Sequence, residues 1–218
     1  MLRHVTARRS GCSTSAPIAA NGSRSRCPGI AHRPRAVSSP RPTSSPASTC
    51  TRPLWFAKSQ AVDAEIRARF GAAVEAALRG AFEDWRATPR GALALILLLD
   101  QFTRNVFRDT PRAFAGDARA LATARALIER GDDLALTLYE RHFAYLPFEH
   151  AEDHAAQQMS LRLFAQLASD GLPEAFEWAQ KHYEVIARFG RYPHRNAILG
   201  RESTPEERAF LEQPGSRF

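Results

Sequence analysis

From residue 54 onward the hydrophobic positions recur with a helical period. Val62, Ile66, Phe70, Val74 and Leu78 are spaced by four, which is one apolar helix face, and Gly80 ends the run. Thr88-Pro89 supplies an N-cap followed by proline at the first helical position. The helix it opens runs through the apolar stretch 93–99 towards Phe107. Apolar all round in its middle, it is predicted to be the buried central helix. Thr110-Pro111 repeats the start signal for a helix ending at Gly131. Residues 134–145 read as another helix, stopped by Pro147. Residues 151–167 follow, closed by Asp170-Gly171, and then 173–189, closed by Gly190. Thr204-Pro205-Glu206-Glu207 is a capping box opening a short last helix. No Asn-Gly-type hairpin between alternating strands occurs. The pattern predicts an all-α domain of about six or seven helices, packed as antiparallel neighbours. It shows no fixed-period repeat.

The first 53 residues have another texture. They are rich in Ser, Pro and Arg and almost free of large aliphatic side chains. Such a stretch buries too little apolar surface to offset the entropy of ordering, so it is expected to be disordered. An Arg- and Ser-rich transit peptide and the product of a shifted start or reading frame are the other two readings of this composition. The predicted domain boundary falls at 53/54.

Charge and cysteine follow the same boundary. The chain has 30 Lys+Arg against 23 Asp+Glu, a formal +7. Nine arginines and no acid lie in 1–53, so residues 54–218 carry 21 bases against 23 acids, a net −2. A near-neutral helical domain argues against a basic nucleic-acid-binding face. Cys12, Cys27 and Cys50 all precede residue 54, and no metal spacing of the Cys-x₂-Cys kind appears. The helical part needs no oxidising compartment, which points to the cytoplasm. No run of about 18 apolar residues exists to cross a membrane.

Three segments hold more polar chemistry than a helical core needs. In 98–108, Asp100, Arg104 and Arg108 are spaced i, i+4, i+8 along an otherwise apolar helix. They form either an intrahelical pair at a solvated helix end or a guanidinium held ready for an anion. In 145–157, Glu149, His150, Glu152 and Asp153 surround a helix start, where the dipole favours acids. His150 and His154 share a face as metal ligands do, but without the Glu of His-Glu-x-x-His, and no metal is expected. In 188–196, Arg188, Arg191 and Arg195 with His194 exceed what one helix C-cap needs. Mid-helix His182 reads as a packing residue. No P-loop, nucleophile elbow or dinucleotide glycine pattern is present, and no cofactor is expected.

Taken together, the stretches Leu-Leu-Asp-Gln-Phe-Thr-Arg-Asn-Val-Phe-Arg (98–108), Tyr-Leu-Pro-Phe-Glu-His-Ala-Glu-Asp (145–153) and Phe-Gly-Arg-Tyr-Pro-His-Arg-Asn (189–196) closely resemble the signatures of a bacterial family known as domain of unknown function 924. The stretch 199–207 resembles that family too. The resemblance implies an all-α helical-hairpin bundle with a tetratricopeptide-like superhelical arrangement, and no established activity. Its recurrent polar positions fall here on Asp100, Gln101, Arg104, Asn105, Arg108, Glu149, His150, Glu152, Gln157, Arg188, Arg191, His194, Arg195 and Asn196. Ala151 and His154 depart from its usual Ser and Leu, so His154 is read as incidental.

Three functional expectations follow. One is a pocket in which Asp100, Gln101, Arg104, Asn105, Arg108, Glu149, His150, Arg188, Arg191, His194, Arg195 and Asn196 converge on a small anionic ligand. If the site is enzymatic, His150, His194 or Glu149 does acid–base work on that ligand, by hydrolysis or proton transfer. The second is a scaffold that binds a protein or peptide on a helical-hairpin stack. The third is a polar network that only fixes helix packing.

Overall fold

Residues 58–217 are described by the computed structural model; the expected disordered stretch 1–53 and the Leu54-Trp55-Phe56 segment lie outside the described residues. Helix α1 spans Gln60–Leu78 and is capped by Ser59, whose hydroxyl accepts the Val62 N–H at 3.4 Å. Its Val74 and Ala77 are fully buried. Arg67 reaches across to donate to the Val106 carbonyl at 2.8 Å.

Helix α2, Pro89–Ile96, begins at the expected Thr88 cap and buries Ala92, Leu93, Leu95 and Ile96, as befits a central helix. It runs on through a π-turn, Leu97–Gln101, into α3, Phe102–Val106. In that wide turn the Phe102 N–H bonds back to the Leu97 carbonyl, five residues earlier.

Two expected boundaries shift. The single helix expected from Pro111 to Gly131 is divided into a 3₁₀ turn, Pro111–Phe114, and α4, Asp117–Glu129. The break falls beside Gly116, which lies against the Leu99 carbonyl. The helix expected to stop at Pro147 begins instead at Thr137, whose capping box with Glu140 opens α5, Leu138–His150. It passes straight through Pro147. Proline removes only its own N–H bond, and the carbonyls at the end of α5 find other donors. The Gln157 amide donates to the Glu149 carbonyl at 2.7 Å and the Ala151 carbonyl at 2.8 Å, and the Tyr192 hydroxyl donates to Glu149 at 2.5 Å.

Asp153 then caps α6, His154–Ser169, by accepting the Ala156 N–H at 2.7 Å. Helix α7, Pro173–Phe189, ends on Gly190 at φ 69°, where a left-handed residue is required. A 3₁₀ turn, Pro193–Arg195, leads to α8, Pro205–Leu211, opened by the expected Thr204–Glu207 capping box.

The described residues are all-α, with no strand among them. Helices pack chiefly on near neighbours in sequence: α6 on α7, α5 on α6, α1 on α3 and α2 on α4. The main core is built from α2, α4, α5, α6 and α7, around Ile96, Leu127, Phe148, Phe164 and Leu167. No described helix is long and apolar enough to cross a membrane.

Candidate functional site

The π-turn sets Asp100 inside the protein, with no exposed surface. Such a carboxylate is tolerable only with partners. Gln101 donates to it at 2.6 Å, Arg104 lies at 3.3 Å, and His150 Nδ1 lies 2.9 Å from both oxygens. Burial alone would raise its pKa, but the Arg104 charge, together with the His150 and Gln101 contacts, outweighs that and holds it well below the usual carboxylate range. Asp100 is therefore ionised at neutral pH.

Arg104 joins this carboxylate to a second. Its fork donates to Asp117 at 3.0 and 3.1 Å. Asp117 is the first residue of α4, and it reaches the fork because Gly116 lets the start of α4 sit on the π-turn. A Cβ at 116 would overlap the Leu99 carbonyl. Burial opposes the Arg104 charge, and the two carboxylates more than restore it.

Arg195 completes the charge balance but is poorly bonded. It is 7% exposed, its Nη1 lies 3.5 Å from Asp117, and its buried Nε has no hydrogen-bond partner among the described residues. The guanidinium is held between the Phe114 and Tyr192 rings, at 4.7 and 4.6 Å. Burial and the nearby Arg104 charge lower its pKa.

Behind His150 lies a second buried group. Glu149 is 4% exposed, with Oε1 3.2 Å from His182 Nδ1 and Oε2 without a hydrogen-bond partner among the described residues. Burial, then the Asp100 charge, push its pKa up to about 8, so the acid is mostly protonated at neutral pH. His182 donates Nδ1–H to the Trp178 carbonyl at 2.9 Å, and burial lowers its pKa to about 3. Its expected role as a packing histidine fits this neutral, hydrogen-bonded state.

The cluster opens on a cleft of about 280 Å³. Asp117, His150, Glu152 and Arg195 supply the polar wall, and Phe114, Leu121, Pro147 and Leu199 the apolar one. Glu152 is engaged elsewhere: it accepts from Arg201 at 2.6 Å and from the Tyr192 N–H at 2.8 Å.

The structure thus brings Asp100, Gln101, Arg104, Glu149, His150 and Arg195 together and sends the other expected residues elsewhere. Asn105 and Arg108 turn to Asp63 on α1, Arg108 by two bonds of 2.5 and 2.7 Å. Arg191 forks onto Glu207 at 2.7 and 2.9 Å, and Asn196 donates to the same carboxylate at 3.1 Å. Glu207 is held down at about 2 by the Arg191 bonds. Arg188 is exposed, with its charge over the Phe189 ring. His194 packs on Tyr192, 5.5 Å between rings, and burial lowers its pKa to about 4.

Sequence reading missed Asp117, Phe114 and Tyr192 as members of the cluster. The signal for Asp117 was the adjacent Gly116, a glycine at a helix start where a side-chain cap is the usual choice. Phe114 and Tyr192 carry no local signal, since an aromatic stacked on arginine reads like any core aromatic.

The model of the family described as "Bacterial protein of unknown function (DUF924)" matches residues 43–215. A solved structure from Agrobacterium tumefaciens, of the protein of unknown function ATU0120, is 46% identical, with a TM-score of 0.70. The match covers 74% of this chain and 90% of that one. No curated protein matches the chain. The family match spans all four sequence signatures, and the chain belongs to the bacterial DUF924 family.

Proposed function

We propose that the cleft between α4, α5 and the 193–199 segment binds a small organic or inorganic anion on Arg195. The observation that carries this reading is an under-bonded guanidinium, almost wholly buried yet lining a cleft. Buried donors without partners are costly, and a carboxylate or phosphate bound in a fork removes that cost. The flanking rings fix the plane of the fork, and the apolar wall strengthens its pull on an anion. Asp117 is forked by Arg104 and lies 3.5 Å from Arg195, so Arg195 keeps donor capacity to spare. The absence of cysteine from 54–218 suits a reducing cytoplasm.

Isothermal titration calorimetry with inorganic phosphate, acetate and 2-oxobutanoate tests this reading. Binding of at least one is expected in the wild type and lost in Arg195→Met. No binding by any of the three, with the wild type folded, overturns it. The remaining ion pairs, Asp63–Arg108, Glu152–Arg201 and Arg191–Glu207, favour a purely structural role for those residues.

A further inference from the structure

We propose that the Asp100–His150 pair makes this cleft an acid–base catalytic site: His150 Nε2 removes a proton from the carbon beside the carbonyl of a small 2-oxo carboxylate anchored on Arg195. The proposal rests on the anion-site reading and adds a reaction to it.

Four observations lead there. Asp100 approaches His150 Nδ1 with both oxygens at 2.9 Å, which makes Nδ1 the nitrogen that carries the proton. In the neutral ring Nε2 then carries the lone pair; it has no hydrogen-bond partner among the described residues and belongs to a ring that lines the cleft. Asp100 is wholly buried and braced by Gln101 and Arg104, so the imidazole it orients is set for proton acceptance and the imidazolium is stabilised when it forms. Of the groups in the cleft wall that could accept a proton, Asp117 is held by the Arg104 fork and Glu152 by Arg201, which leaves the imidazole as the base without a competing partner.

A 2-oxo acid fits the two polar groups in turn. Its carboxylate pairs with the Arg195 fork, and its carbonyl acidifies the hydrogens on C3. In the reaction the C3–H bond breaks and the proton passes to Nε2. The bonding pair becomes the C2–C3 double bond, and the carbonyl pair moves onto oxygen. The enolate charge develops beside the guanidinium that already holds the carboxylate, in a cleft whose apolar wall keeps that attraction strong. Return of a proton from Nε2 to C3 regenerates the 2-oxo acid, so no co-reactant is consumed. In deuterated water the returned hydron comes from solvent.

The experiment follows the C3 hydrogens of 2-oxobutanoate by proton NMR in deuterated buffer, with calorimetry on the same samples. Wild type is expected to exchange them well above the protein-free rate. His150→Gln is expected to lower that excess by at least about 100-fold while 2-oxobutanoate still binds. Asp100, a positioning residue, is tested by Asp100→Asn, expected to lower kcat for exchange far more than it changes KM. Arg108→Ala, outside the cleft, controls for folding and is expected to leave exchange unchanged. Binding of 2-oxobutanoate without enhanced exchange, or exchange unaffected by His150→Gln, overturns this proposal and leaves the anion-site reading standing. Failure of all anions to bind overturns both.

Discussion

Gly116 sits directly on the backbone carbonyl of Leu99. That contact is the hinge of the polar cluster, because it lets the first residue of α4 meet a fork that rises from α3. The close approach and the π-turn are two halves of one arrangement: the widened turn presents the Leu99 carbonyl, and a residue without a side chain accepts it.

Gly116→Ala is accordingly expected to destabilise the protein by about 1–3 kcal/mol, since backbone rather than a flexible side chain must move. It is also expected to weaken anion binding by displacing Asp117. Chemical denaturation and calorimetry on the same variant check both.

Removing the central cation has a larger effect. Arg104→Met leaves the buried Asp100 and the half-buried Asp117 with their main partner gone, and the expected loss is about 3–5 kcal/mol. The double variant Arg104→Met with Asp117→Asn recovers part of that loss in a denaturation series, because one uncompensated carboxylate is removed.

Stability depends on pH in two opposed ways. Glu149 carries a pKa of about 8, raised by burial and then by Asp100 from an ordinary 4.5. The folded chain holds that proton more tightly than the unfolded one. Its contribution is full below 4.5 and is lost as pH rises towards 8. Burial lowers His142 and His182 to about 4 and about 3 from an ordinary 6.5. Their contribution is full above 6.5 and is lost as pH falls through those values. The expected maximum is near pH ~6.5. Glu149→Gln is expected to abolish the decline between pH 6.5 and 8, about 2 kcal/mol, in denaturation curves across that range.

The outlying pairs separate architecture from chemistry. Arg108→Ala breaks the Asp63 fork, in which the Arg108 side chain is 28% exposed, and is expected to cost about 1 kcal/mol. Arg191→Ala leaves Glu207 without its main partner and is expected to lower the melting temperature. Neither change should alter the affinity for the anion that binds best to wild type; a change of more than a few-fold by calorimetry would tie these pairs to the cleft.

The helices were legible because caps and apolar spacing are local: Thr88, Thr204 and Gly190 act where the sequence puts them. Pro147 misled, because what keeps α5 going lies in Gln157 and Tyr192, ten and forty-five positions further on. The i, i+4, i+8 spacing of Asp100, Arg104 and Arg108 promised one stripe. The helix ends at Val106, and Arg108 leaves that line for Asp63. Resemblance grouped the polar residues by recurrence, whereas the fold divides them by partner. Asp63 and Asp117, which no pattern singled out, and Glu207, read only as part of a helix cap, take Arg108, Arg104 and Arg191 respectively.

Asp117 and Arg195 are 78 positions apart, and the cleft exists only where they meet. During synthesis on a ribosome the carboxylate emerges long before the guanidinium. A nascent chain that has released everything up to α7 still lacks the cation that would greet a ligand. The anion site proposed for the cleft thus forms only once the chain has emerged through Arg195, and truncation ahead of that residue removes it.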